Sequence, residues 1–81
     1  MQYMTTRFFY PHGIEGEAMD CTYKHFDTIE KAIKYAYRYN KGLRFAGIQI
    51  EELTADGKLG DLVYEITSDN ETIDYRDNDT K

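Results

Sequence analysis

The side chains closest to a recognisable chemical pattern are one cysteine and two histidines. Cys21 and His25 lie four residues apart in a segment that alternates apolar and polar residues, so a strand would place both on one face. His12 lies across a predicted hairpin from them, and Asp20 or Asp27 could complete a Cys/His/His metal site. The alternative is a small buried cysteine beside two histidines that touch solvent. We favour that alternative and expect neither a metal nor another cofactor.

The same residues give little support to nucleophilic catalysis. A Cys21–His25 pair has no neighbouring group that would orient the histidine. Ser68 is the only serine, and it lies in a predicted turn with no histidine beside it in the sequence. The chain also lacks a Gly-rich phosphate loop and a His-Glu-x-x-His pattern. We therefore expect no catalytic residues and no enzymatic activity.

Residues 26–42 are the one segment that combines a helix start, a helical apolar period and a helix stop. Asp27 followed by Glu30 is typical of a capping box. Gly42, after a basic last turn, is placed for a left-handed C-cap. Between them, apolar residues recur at the spacing of a core-facing helical stripe: Ile29, Ala32, Ile33 and Ala36.

Strands are predicted on both sides of this helix, at residues 2–10, 18–25, 43–53 and 59–67, with a short candidate at 72–75. In the second strand, alternation predicts that Met19, Cys21 and Tyr23 face inward. Gly47 suggests a bulge or a close backbone contact in the third. Asp56-Gly57 predicts the turn before the fourth strand. In that strand Leu62, Tyr64 and Ile66 are predicted to face inward, and Asp61, Val63 and Glu65 outward.

These elements predict an α+β fold of order β-β-α-β-β, an antiparallel sheet of four or five strands with one helix packed on one face. Residues 1–76 are expected to form a single domain, and residues 77–81 a disordered acidic tail. The opposite sheet face has no second helix to cover it. It must be solvated, functional, or buried against another copy.

The 81 residues allow one modest core, so a homodimer or a partner that completes the fold is a reasonable expectation. One cysteine excludes an internal disulfide, and neither a signal peptide nor a membrane span is apparent, which predicts a cytoplasmic protein. The net charge of −5 is unevenly distributed. Residues 1–50 carry seven Lys and Arg against five Asp and Glu, whereas residues 51–81 carry three against ten. The acidic half disfavours direct nucleic-acid binding.

Surface residues of the helix and of the last hairpin are the candidate binding groups. At about 100° per residue, Tyr37 and Tyr39 flank the apolar stripe while Tyr35 points outward, beside Lys31, Lys34 and Arg38. Exposed tyrosine with arginine is typical of binding hot spots, although the rings could instead broaden the packed stripe, or this basic face could contact nucleic acid. The predicted partner-binding residues are Lys34, Tyr35, Arg38, Glu51, Glu52, Asp61 and Glu65.

The carboxylates of the last third have two interpretations. They could be a solvated face that keeps a small domain soluble. They could also present negative charge to a nucleic-acid-binding protein in the way that DNA or RNA does. The first interpretation is favoured, because a net charge of −5 is modest for a nucleic-acid mimic.

The helix of residues 26–36, leading through Gly42 into the strand at 45–50, resembles the layout of small phage-encoded proteins that neutralise host machinery. Transcription inhibitors and anti-CRISPR proteins are examples. The resemblance implies stoichiometric inhibition by binding, which blocks a functional surface of a host protein in the bacterial cytoplasm. Two alternatives are a self-associating structural or regulatory subunit with no external target, and a metal-dependent enzyme that uses His12, Cys21 and His25.

Overall fold

The computed structural model describes residues 2–14, 16–39 and 44–76. Its elements are β1 (Gln2–Phe9), β2 (Asp20–Phe26), α1 (Ile29–Arg38), β3 (Phe45–Leu53), β4 (Leu59–Ile66) and β5 (Thr72–Asp74). All neighbouring strands are antiparallel, in the order β2-β1-β3-β4-β5, and α1 packs against the sheet. The predicted α+β fold is confirmed, and the candidate fifth strand is part of the sheet. The predicted tail at 77–81 lies outside the described residues.

The core is the layer between α1 and one face of the sheet. The helix contributes its small and branched stripe, and the central strands contribute isoleucines that are almost fully buried. Tyr3, Phe26 and Ile33 pack against the edge of this layer while remaining partly exposed. The buried apolar residues are Ile29, Ala32, Ala36, Phe45, Ile48, Ile50, Val63, Tyr64 and Ile66.

The helix begins one residue later than the predicted capping box requires. Thr28 has an extended backbone, and its Oγ1 accepts the Lys31 N–H at 3.2 Å, so Thr28 is the N-cap. Asp27 instead forms an ion pair with Lys31, with 3.1 Å between its Oδ1 and the lysine Nζ. Tyr39 closes the helix by donating its N–H to the Ala36 carbonyl at 3.2 Å. The predicted C-cap at Gly42 lies outside the described residues.

The inward face predicted for β2 is wrong. Met19 and Tyr23 are 56% and 63% exposed, and the β2 residue that packs against the core is Phe26. The reason is the pairing with β1, in which Phe26 lies opposite the core-packing Tyr3. Because side chains alternate along a strand, this register turns Cys21, Tyr23 and His25 to the sheet face opposite α1, here called the open face.

Bulges interrupt the alternation in β3 and β4. The β1–β3 register shifts beside Gly47, whose φ is +139° and whose position for a Cβ lies 3.3 Å from the Ile66 carbonyl oxygen. The bulge and close contact predicted at Gly47 are therefore both present. A second shift lies between Ile50 and Glu51, opposite β4, and Val63 is buried there although it was predicted to face outward. Tyr64 and Ile66 are buried as predicted, whereas Leu62 is only half-buried.

Candidate functional site

Six side chains from α1 and β2 line a shallow concavity between the helix and the edge of the sheet. We call it the basic–aromatic cleft; it consists of Lys24, Phe26, Lys31, Lys34, Tyr35 and Arg38. Three of the predicted partner-binding residues, Lys34, Tyr35 and Arg38, therefore meet in one place. Four of the six residues are cationic and two are aromatic, which is a composition suited to a carboxylate-rich or otherwise anionic surface.

Helix and strand periodicity both contribute to this arrangement. Residues three, four and seven apart share one flank of a helix, so Lys31, Lys34, Tyr35 and Arg38 lie side by side on α1. On β2, Phe26 faces the helix, and Lys24, two residues earlier, faces the same way. The edge strand thus forms one wall of the cleft and the helix flank forms the other.

Tyr35 is at the centre of an aromatic cluster and is not the outward-pointing side chain that the helical wheel predicts. Its ring centroid lies 5.3 Å from that of Phe26 and 4.8 Å from that of Tyr39. Lys24 Nζ lies 5.9 Å from the Tyr35 centroid, within range of a cation–π interaction. Tyr35 is half-buried, whereas Tyr37 and Tyr39 are 46% and 40% exposed. The helical wheel fails here because β2 and Phe26 cover the flank that it leaves bare.

The cations of the cleft differ in how far they are neutralised. Lys31 is paired with Asp27, and the paired lysine holds the pKa of that carboxyl below its usual range. Within the described ranges, Lys34 and Arg38 form no ion pair. Their charges therefore remain available to an incoming group at one side of a half-buried tyrosine ring.

The four acidic residues predicted to bind a partner separate into two pairs. Glu51 and Glu65 lie on the open face, because each is adjacent to a core residue that faces the helix: Ile50 and Tyr64 respectively. The Tyr75 hydroxyl donates to Glu65 Oε1 at 2.8 Å, and this hydrogen bond raises the tyrosine pKa.

The other pair, Glu52 and Asp61, lines a separate concavity together with Tyr75 and Arg76. Arg76 is held there by Asp74, with 2.9 Å from its Nε to Oδ1 and 2.7 Å from its second terminal nitrogen to Oδ2. This pairing with the guanidinium lowers the pKa of Asp74. These four predicted residues thus lie on two separate surfaces instead of one continuous row of charge.

Two of the residues considered for a metal site, His12 and Cys21, are hydrogen-bonded to other side chains. His12 Nδ1 lies 2.9 Å from Glu17 Oε1, and this contact lowers the pKa of the Glu17 carboxyl. The Cys21 thiol donates to the Tyr23 hydroxyl at 3.1 Å. Within residues 2–14, 16–39 and 44–76, no three His, Cys, Asp or Glu side chains are grouped so that they could hold a metal ion.

Sequence reasoning missed the two residues that β2 contributes to the cleft, Lys24 and Phe26. Phe26 lies two residues before the N-cap Thr28, and it is the only large apolar residue in β2 on the same face as Lys24. Placing that face toward α1, instead of the Met19–Cys21–Tyr23 face, would have found both residues.

Comparison with protein-family models, with characterised proteins and with solved structures gives no match to this chain. In the described part of the chain no helix has the length and apolar character needed to cross a membrane.

Proposed function

We propose that this chain is a non-enzymatic protein-binding inhibitor, of the kind that phages encode, which blocks a functional surface of a host protein in the bacterial cytoplasm. The observation that carries the proposal is the basic–aromatic cleft, in which Lys34, Tyr35 and Arg38 lie together. Tyrosine and arginine are the side chains that most often dominate binding energy at protein interfaces.

The aromatic side chains of the cleft are already held in place, which favours binding. Tyr35 is already fixed between Phe26 and Tyr39, so little side-chain freedom is lost when a partner covers its ring. Lys34 and Arg38 add positive charge beside that ring, and such charge accelerates encounter with an acidic surface and disfavours basic ones. The cleft therefore suits an acidic patch on a folded partner.

The open face offers a second contact of opposite sign. Glu51 and Glu65 project from neighbouring strands of a rigid sheet, where their side chains face the same way. A host protein that binds nucleic acid would meet these carboxylates with its own basic surface, which is the mimicry form of the proposal. Charge reversal in the cleft and on the open face distinguishes binding through the cleft from nucleic-acid mimicry.

The test is capture of partners from bacterial lysate by the tagged chain, washed at low and at high salt. Lys34→Glu and Arg38→Glu reverse charge in the cleft, whereas Lys58→Glu makes the same change at an exposed residue of the β3–β4 turn and serves as the matched control. Each cleft variant should reduce capture of a stoichiometric partner at least about tenfold, and the control should capture it as the wild type does.

A second pair of variants, Glu51→Lys and Glu65→Lys, tests mimicry. Loss of capture by this pair alone, with a nucleic-acid-binding partner, would move the binding surface to the open face. The proposal fails if the captured partner is retained equally by all of these variants, or if no protein is captured in stoichiometric amount at either salt concentration.

A further inference from the structure

Strand β2, seven residues long, lies at one edge of the sheet. It pairs with β1 on one side, and in the part of the chain that the structure describes no strand pairs with its other side. Most of its seven residues are exposed. Such an edge carries backbone donors and acceptors that can pair with another strand.

The direction of the unpaired groups follows from two independent contacts. The Tyr10 N–H donates to the Arg44 carbonyl, so even-numbered residues of β1 direct their backbone groups toward β3 and odd-numbered residues direct theirs toward β2. The odd residues of β1 lie opposite even residues of β2, for example Arg7 opposite Thr22. Backbone groups of Cys21, Tyr23 and His25 therefore point out from the edge.

The second contact is at Cys21 itself. Its N–H donates to Asp20 Oδ1 at 2.9 Å, a side-chain acceptor and not a carbonyl of β1. This is the bond expected of an outward-pointing amide, which must find an acceptor or water. In the single chain the Asp20 carboxylate thus covers part of the edge.

We propose that two copies of this chain pair through β2, antiparallel and centred on Thr22, to form one continuous sheet of ten strands, five from each copy. In this register Cys21 lies opposite Tyr23 of the second copy, and the two exchange backbone hydrogen bonds on each side of the two-fold axis. Asp20 lies opposite Lys24 of the second copy, twice by symmetry.

Charge selects this register among its neighbours. Pairing centred on Tyr23 places Asp20 opposite Phe26 and Lys24 opposite Thr22, so neither charge meets an opposite one. Pairing centred on Lys24 places two lysines opposite each other, which is unfavourable. Registers that pair odd residues with even ones join opposite sheet faces. Of the registers compared, only the one centred on Thr22 places Asp20 opposite Lys24.

Pairing also changes the acceptor of the Cys21 backbone amide. The Cys21 amide passes from Asp20 Oδ1 to the Tyr23 carbonyl of the second copy, and the released carboxylate meets a lysine. The Cys21 amide and the Asp20 carboxylate, which in the single chain bond to each other or to water, would then both have partners on the second copy.

Dimerisation in this way would enlarge the binding cleft, a consequence that rests on the proposed function. A two-fold axis perpendicular to the sheet leaves both helices on the same face. Each basic–aromatic cleft lies between its helix and β2, so the two clefts face each other across the junction. The result is a groove with a β2 floor and two helical walls, lined by cations from both copies.

Charge exchange between Asp20 and Lys24 tests the register without reference to any external partner. Sedimentation velocity should show a concentration-dependent dimer for the wild type. Asp20→Lys and Lys24→Asp should each weaken the dimer at least about tenfold, because each places like charges opposite one another twice. The double variant should restore the wild-type dissociation constant, and Lys58→Asp should leave it unchanged. The proposal is overturned by a double variant no tighter than the single ones, or by a wild type that is monomeric at ~1 mM.

Cysteine cross-linking provides a measurement that does not depend on those charges. Thr22→Cys, in a Cys21→Ser background, places two thiols in a non-hydrogen-bonded pair whose Cα atoms are about 4.5 Å apart, within disulfide range. Mild oxidation should cross-link it at least about tenfold faster than Ser68→Cys in the same background. The native Cys21 pair, about 8 Å apart on the diagonal, should cross-link slowly. Equal rates for the Thr22 and Ser68 variants would refute the register.

Discussion

The hydroxyl pair of Tyr37 and Tyr64 connects the helix to the sheet, and its removal should change how stability depends on pH. The two hydroxyl oxygens are 2.6 Å apart, and the rings pack edge to face at 6.4 Å between centroids. Tyr64 is only 7% exposed. Burial, and then the hydrogen bond with Tyr37, raises the pKa of Tyr64 from 10 to about 12.

The sign of the effect follows from linkage. An unfolded tyrosine loses its proton near pH 10, whereas folded Tyr64 keeps its proton until about pH 12. Between these values the unfolded state binds fewer protons, so the free energy of unfolding falls as pH rises. At pH 11 the loss attributable to Tyr64 is about 1.4 kcal/mol. At pH 7 it is absent.

The variant Tyr64→Phe separates the hydrogen bond from this titration. At pH 7 it should be about 1 kcal/mol less stable than the wild type, because it loses the hydroxyl pair. At pH 11 it escapes the Tyr64 titration, so the difference in the free energy of unfolding should vanish or reverse. The coupling of Tyr37→Phe and Tyr64→Phe in a double-mutant cycle at pH 7 should be about 1 kcal/mol.

Urea unfolding at a series of pH values between 7 and 11 measures these differences. Tyr35→Phe is the matched control, since it removes a hydroxyl from the same helix and keeps the ring packed against Phe26 and Tyr39. The reasoning is refuted if Tyr64→Phe loses stability with rising pH as steeply as the wild type, or if the cycle shows no coupling.

Two further substitutions test local features of the fold. Gly47→Ala should lower the free energy of unfolding by about 1–3 kcal/mol, since its φ is +139° and a Cβ would lie 3.3 Å from the Ile66 carbonyl oxygen. Gly60→Ala is the control, since its new Cβ would lie 3.4 Å or more from the atoms of Glu52, at ordinary van der Waals distance, and equal losses in urea unfolding would contradict the argument. Thr28→Ala should cost about 1 kcal/mol by removing the N-cap, whereas Asp27→Ala should change stability little. A larger loss of stability for Asp27→Ala than for Thr28→Ala would indicate that Asp27 is the N-cap.

The sequence predicts the elements of this fold better than it predicts their faces. The helix and strands follow from local signals such as the apolar stripe of α1 and the Asp56-Gly57 turn, and Gly57 has the positive φ that such a turn uses. Even the bulge at Gly47 has a local cause, because only glycine adopts its backbone readily. Such features need no knowledge of distant partners.

Which side of β2 is covered depends instead on its pairing with β1. The apolar residues of β2 are divided between its faces, so alternation favours Cys21 and Tyr23 as inward, whereas the register with Tyr3 selects Phe26. The prediction that Tyr35 points outward failed for a related reason, because the helical period contains no information about Phe26, which covers that flank of α1. Three of the four cleft residues on α1 were therefore among the predicted binding residues, and the two on β2 were not.

The central proposal is that the basic–aromatic cleft is the contact surface. This surface can be mapped before any partner is identified. The measurement is the amide NMR spectrum of the isotope-labelled chain, titrated with unlabelled bacterial lysate. Signals of Lys34, Tyr35 and Arg38 should weaken first, and Lys34→Glu should abolish the effect while Lys58→Glu preserves it. Unchanged signals throughout the spectrum, or losses that begin at the β3–β4 turn and spare α1, would contradict the proposal.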